Sequence, residues 1–133
     1  VLHSVGKLNA LPPSKGGYKP VAYVDAMADA YLAADVIIAR SGAVTCSEFR
    51  ALGRYALFVP LPIGNGEQFV NAATLVADGR AEIITQKEFT AHFIEAQIDR
   101  LLKVAAQAPI NGDDQDLDAA QKIVALTEFA IKS

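Results

Sequence analysis

The residues best equipped for chemistry form one run, Arg40-Ser41-Gly42-Ala43-Val44-Thr45-Cys46-Ser47-Glu48. A buried strand is expected from Asp35 to Ala39, a sharp turn from Arg40 to Val44, and a short helix from Thr45 to Leu52, stopped by Gly53. A helix start presents backbone N–H groups with no partner inside the helix, together with a partial positive charge. Gly42 lets a ligand approach the backbone closely. A diphosphate suits such a turn, and Glu48, one helical turn further on, is placed to accept hydrogen bonds from two adjacent ribose hydroxyls. The same residues admit another account: Thr45-x-x-Glu48 has the form of a capping box, in which the two side chains satisfy the helix start themselves. These residues alone leave both accounts open.

A second cluster lies in Pro60-Leu61-Pro62-Ile63-Gly64-Asn65-Gly66-Glu67-Gln68-Phe69-Val70-Asn71-Ala72. Glu67, Gln68 and Asn71 gather at a helix start, with Gln68 and Asn71 three apart and hence on one face. Carboxamides both donate and accept, which suits sugar hydroxyls; a solvated first turn is the competing account. A third segment is Tyr23-Val24-Asp25-Ala26-Met27. The Val24 backbone, at a strand end, is suited to reading the edge of a planar base, and Met27 to packing on its face, unless Met27 is simply core. His3 and His92 have no nucleophile or carboxylate partner at a telling spacing. Cys46 reads as a small buried residue, although a helix start can lower a thiol pKa. No spacing of His, Cys, Asp and Glu suggests a metal site, and no cofactor is expected.

These segments need a scaffold. Short β-branched runs alternate with alanine-rich helical stretches, which argues for α/β architecture: a Rossmann-like parallel sheet flanked by helices. Strands are expected at Val1–Val5, Val21–Val24, Asp35–Ala39, Ala56–Leu61 and Ala81–Thr85. Asp25 is expected to cap a helix through Ala34. Helices also follow over Glu67–Asp78, closed by Gly79, and after Thr90, with Phe93, Ile94, Ile98, Leu101, Leu102 and Ala105 on the apolar face. The reading assigns 1–107 to a partial nucleotide-binding domain and 108–133 to an acidic linker and a last helix, about Leu117 to Ile131. In open α/β sheets ligands bind beyond the carboxyl ends of the strands. The loops after Val24, Ala39 and Pro60 leave such ends, and they carry the residues singled out above.

Bulk properties narrow the class. The chain has 133 residues, 52% of them apolar and 20% charged, which fits one globular domain and excludes a disordered chain. A net charge of −3 argues against wide nucleic-acid binding while leaving room for a local anion site built from amides. A single cysteine rules out an internal disulfide framework and fits a reducing compartment. No apolar run reaches the roughly 18 residues a membrane span needs.

Together the segments resemble the C-terminal, UDP-N-acetylglucosamine-binding domain of MurG-type undecaprenyldiphospho-muramoylpentapeptide β-N-acetylglucosaminyltransferases, part of a GT-B glycosyltransferase. The resemblance runs through His3-Ser4-Val5-Gly6, Tyr23 to Met27, Ala34 to Ile38, Arg40 to Glu48, Leu61 to Gln68 and Asn71-Ala72, in order over nearly the whole chain. Pro62-Ile63-Gly64-Asn65-Gly66-Glu67-Gln68 looks like the actinobacterial form. The resemblance implies that the Val24 backbone holds uracil with Met27 nearby. It implies that Ser41, Gly42, Ala43, Val44 and Thr45 face the diphosphate, that Glu48 binds the ribose, and that Glu67, Gln68 and Asn71 face N-acetylglucosamine. Many relatives have Gln-Gln where this chain has Glu67-Gln68, and a proline where it has Tyr55.

It further implies an inverting displacement, a lipid-linked muramoyl-pentapeptide acceptor, and a peripheral place on the cytoplasmic side of the membrane, in the setting of cell wall biogenesis, cell shape and cell division. The acceptor-binding half, the domain's first strand with its glycine loop, and the general base are expected outside this chain. The chain starts without Met and is expected to be inactive alone; no catalytic residue is assigned within it. A natural split subunit, a sugar-nucleotide epimerase and a non-enzymatic flavodoxin-like or receiver-like module are the rival readings.

Overall fold

The computed structural model describes residues 1–109 and Gly112. The expected last helix and most of the acidic linker lie outside the described residues. The chain divides into two compact units, Val1–Ala33 and the part from Ala34 onward.

The first unit pairs β1 (Leu2–Ser4) with β2 (Lys19–Val21) in parallel, Leu2 opposite Lys19 and Ser4 opposite Val21. The ladder continues at both ends, with Lys19 N–H donating to Val1 O and Val5 N–H to Val21 O, each at 2.8 Å. The second strand therefore falls earlier than the expected Val21–Val24. Pro20 has no N–H to give, and a strand paired on one side tolerates that. His3 Nδ1 lies 2.7 Å from the Tyr18 hydroxyl, a structural bond across the loop between the two strands. Helix α1 (Met27–Ala33) starts two residues later than the expected Asp25 cap and buries no residue.

The second unit holds a parallel sheet of β3 (Ile37–Ala39), β4 (Ala56–Phe58) and β5 (Ala81–Ile83), in that order. Ala39 lies opposite Phe58, and Phe58 opposite Ile83, so the carboxyl ends of the three strands are level. The helices are α2 (Ala43–Leu52), α3 (Glu67–Ala77) and α4 (Ala91–Gln107). Strand β4 is central and its residues are all buried, which is why Ala56-Leu57-Phe58 is apolar without alternation. Its side chains divide between two faces. Phe58 meets Phe49 of α2, ring centroids 5.5 Å apart. Tyr55, Leu57 and Val59 form one core with Ile84 and with Leu101 and Ala105 of α4. Helix α2 packs on α3, and α3 on β5. Full burial of a side chain such as Phe58 or Leu101 is worth about 1.5–3 kcal/mol, so these contacts hold the layers together.

Strand β3 corrects an expectation. The apolar run predicts a buried strand, yet Ile38 is 41% exposed. Within this unit β3 is the edge strand, with a neighbour on one side only.

The helix boundaries follow local chemistry. Gly53 ends α2 in the left-handed region at φ 60°, its N–H donating to Phe49 O. Thr90 Oγ1 accepts the Phe93 N–H at 3.1 Å and caps α4, as its position before the apolar run suggested. One polar network joins α4 to β5. Arg100 holds both carboxylate oxygens of Glu82 at 2.8 Å, and the Tyr55 hydroxyl donates to Glu82 Oε1 at 2.6 Å.

Candidate functional site

The level carboxyl ends of β3, β4 and β5 make one edge from which three loops depart. The first is short. Arg40 and Ser41 follow β3, and Gly42 is already the N-cap of α2, extended at φ −64°, ψ 155°. The helix thus starts at Ala43, two residues before the expected Thr45. Alanine is a strong helix former, and the helix extends back to the glycine. The capping box is not formed: Thr45 lies within the first turn, and no side chain caps the helix. The first intrahelical bond runs from Cys46 N–H to Gly42 O at 2.9 Å. The amides of Ala43, Val44 and Thr45 precede it, and Val44 is 73% exposed. A helix start in this state attracts an anion through its amides and its dipole.

Ser41 sits beneath this turn, 0% exposed. Its Oγ has no hydrogen-bond partner among the described residues. An unpartnered buried hydroxyl costs about 1–3 kcal/mol, so its presence here needs a reason. Cys46 and Phe49 form the buried side of α2. Burial pushes the Cys46 thiol up, with Arg50 opposing, in keeping with a small core residue rather than a nucleophile. Glu48 lies on α2 between the buried and exposed faces.

The second loop, 59–66, carries the glycine run into α3. Gly66 is the N-cap at φ 75°, a left-handed conformation that suits glycine. Glu67 is exposed in the first turn of α3, where a carboxylate is favoured by the dipole. Gln68 and Asn71 both turn back onto the protein. Gln68 Oε1 accepts the Leu61 N–H at 2.9 Å, and Asn71 Nδ2 donates to Ser41 O at 3.2 Å. The backbone partners fix both carboxamides: an N–H requires the oxygen of Gln68, and a carbonyl requires the nitrogen of Asn71. These two bonds leave the Nε2 donor of Gln68 and the Oδ1 acceptor of Asn71 unused.

Asn71 therefore ties the start of α3 to the turn before α2. Ser41, Gly42, Ala43, Val44, Thr45, Gln68 and Asn71 are brought to one edge of one sheet, with Glu67 beside them and Glu48 further along α2. Val24 and Met27 belong to the first unit. Val24 lies in the turn before α1 rather than on a strand, and its backbone enters none of the hydrogen bonds among the described residues. Met27 is half-buried as the first residue of α1.

Two further residues hold this edge together, and neither was singled out by the sequence. Arg40 Nη1 donates to Val59 O at 2.8 Å and to Pro60 O at 3.3 Å, and its Nη2 to Gln86 Oε1 at 2.8 Å. Arg40 is thus a clamp across the strand ends. The available signal was an arginine placed directly after an apolar strand, where neighbouring carbonyls run out of sheet partners. Gln86, beyond β5, had no signal in its type or spacing. Among the described residues no group of three or more His, Cys, Asp and Glu is arranged to hold a metal, and no helix is long and apolar enough to cross a membrane.

The pattern of the glycosyltransferase family 28 C-terminal domain matches residues 1–126. Over 103 residues, 77% of the chain, it is 50% identical to the UDP-N-acetylglucosamine--N-acetylmuramyl-(pentapeptide) pyrophosphoryl-undecaprenol N-acetylglucosamine transferase of Corynebacterium glutamicum (strain R) and spans 29% of that protein. The transferase of the same name from Thermobifida fusca is 40% identical over 139 residues, covering 95% of the chain and 37% of the relative. The crystal structure of Acinetobacter baumannii MurG superposes with a TM-score of 0.58 at 33% identity, over 79% of this chain and 35% of that one.

Proposed function

The chain belongs to the family of glycosyltransferase family 28 C-terminal domains, and on that footing we propose that it is the donor-binding portion of an inverting hexosyltransferase. The reaction would move N-acetylglucosamine from UDP-N-acetylglucosamine to a lipid-linked muramoyl-pentapeptide in peptidoglycan synthesis. Its relatives carry that activity in their names, and the chain spans about a third of their length.

One observation carries the reading: the start of α2 is capped by glycine alone, and the Asn71–Ser41 bond ties the first turns of α3 to it. In this reading the diphosphate rests on the amides of Ala43, Val44 and Thr45, with the Ser41 hydroxyl beneath. Glu48 accepts from the ribose hydroxyls. Gln68 gives a hydrogen bond to the sugar and Asn71 accepts one, with Glu67 nearby. When the acceptor hydroxyl displaces UDP at the anomeric carbon, negative charge grows on the diphosphate. The pre-oriented amides and helix dipole stabilise it there with no reorganisation, the dipole contributing about 0.3–2 kcal/mol. The acceptor's proton must go to a base that none of these residues supplies. An undecaprenol-linked acceptor sets the reaction at a membrane, on its cytoplasmic face, with the protein peripheral.

Isothermal titration of the chain with UDP-N-acetylglucosamine, UDP and GDP tests the proposal. Weak binding of the two uridine compounds, no binding of GDP and no transfer by the chain alone are expected. Equal binding of GDP, or efficient transfer by the chain alone, would contradict it.

A further inference from the structure

The segment 59–61 follows the buried end of β4 and is held from two sides. Val59 is 5% exposed and Pro60 is fully buried. Val59 N–H still donates to Ala39 O of β3 at 2.9 Å, but the strands on both sides end here, so the carbonyls of Val59 and Pro60 need another donor; Arg40 Nη1 serves both. On the other side, Leu61 N–H is taken by Gln68 Oε1. Gln68 is thus aimed by a backbone segment whose own position depends on Arg40.

Arg40 is itself aimed. Its side chain is long and exposed, and its second terminal nitrogen is anchored by Gln86 Oε1 at 2.8 Å. Gln86 stands on a turn that is locked locally. Thr85 Oγ1 donates to Glu88 Oε2, Thr85 N–H donates to the same oxygen at 3.3 Å, and Glu88 N–H returns to Thr85 Oγ1 at 3.4 Å. Glu88 and Phe89 N–H groups also reach Thr85 O. The Glu88 carboxyl is held below its usual range by the Thr85 hydroxyl first and the Thr85 amide second.

We infer that Gln86 is a positioning residue for the sugar end of the donor site, acting through Arg40 and the Val59–Leu61 backbone on Gln68. The inference rests on the donor-site reading above. It separates two parts of the donor. The diphosphate seat on α2 does not pass through this chain of bonds, whereas the sugar-facing donor of Gln68 does.

The test uses the full chain with Gln86→Leu, which removes the acceptor, and Gln86→Glu, which keeps one. Without ligand, the Leu61 amide in Gln86→Leu is expected to exchange with solvent about two- to tenfold faster, as for one weakened hydrogen bond, and to return to the parent rate in Gln86→Glu. With ligand, Gln86→Leu is expected to weaken UDP-N-acetylglucosamine by a similar factor and leave UDP unchanged. An unaltered Leu61 amide overturns the inference, as does equal weakening of UDP and the sugar nucleotide. Should the parent chain bind neither nucleotide, the proposed function fails, and Leu61 exchange alone still decides whether Gln86 positions the segment.

Discussion

The Gln68 carboxamide oxygen accepts the Leu61 N–H at 2.9 Å, so a side chain proposed to bind the sugar is also the brace of the loop that precedes its helix. Substitution should separate the two roles. Gln68→Leu loses both the brace and the remaining donor. It should lower stability by about 1 kcal/mol, the net worth of one hydrogen bond, and weaken UDP-N-acetylglucosamine more than UDP. Gln68→Glu keeps an acceptor for Leu61 but offers the sugar no donor. It should restore the urea midpoint without restoring sugar-nucleotide affinity.

Ser41→Ala should act in opposite directions on stability and binding. The Ser41 hydroxyl is buried without a partner among the described residues. Removing it relieves a desolvated group, so the free chain should be unchanged or more stable by up to about 1 kcal/mol. If the hydroxyl meets a diphosphate oxygen, UDP affinity should fall in the same variant. Urea unfolding and UDP titration on one preparation check both.

Leu101→Ala tests the layer assignment. Leu101 is 0% exposed and packs in the core beneath β4 with Tyr55 and Leu57. A cavity there should cost about 2–5 kcal/mol. Its effect on UDP binding should vanish once the folded fraction is corrected for, because α4 contributes no residue to the proposed site.

The polar network on β5 sets a pH dependence. Hydrogen bonding from Arg100 holds the Glu82 carboxyl below its usual range, with burial opposing and the Tyr55 hydroxyl assisting. A lowered folded-state pKa gives stability that is present above the unfolded value of about 4.3 and lost as pH falls through the folded value. Glu82 and Arg100 are 36% and 45% exposed as side chains, so solvent screening keeps the contribution below about 1 kcal/mol. Glu82→Gln should flatten the acid limb of a stability–pH curve by that amount. Tyr55 is shifted upward, by burial first and then by Glu82. Its stabilisation is present below the ordinary phenol pKa of about 10 and is lost as pH rises through the raised value.

Much of this was legible in the residues. Glycine after an apolar helical stretch marked the ends of α2 at Gly53 and α3 at Gly79. Thr90 marked the start of α4, and the apolar run at Ala56 marked a strand, because each depends on local chemistry. Register was not legible. The pairing of β2 moved to Lys19–Val21 since its partner β1, not its own composition, sets where the ladder lies. Edge and centre were confused for the same reason: Asp35–Ala39 is as apolar as a buried strand, yet β3 has one neighbour in its unit. At the site, Thr45 and Glu48 matched a capping box by spacing, and the helix started earlier because Ala43 extends it back to Gly42. Carboxamides at Gln68 and Asn71 were visible as candidates, but their tethers to Leu61 and Ser41 join residues distant in sequence, and no local pattern encodes them.

The proposed donor site stands on the first turn of α2 as an anion seat. A nuclear magnetic resonance titration of the labelled chain with UDP reads that turn directly. The amide signals of Ala43, Val44 and Thr45 should move together and more than those of α4, and inorganic sulfate should not move them equally well. If those three amides stay still while UDP shifts signals elsewhere, the seat has been assigned to the wrong place.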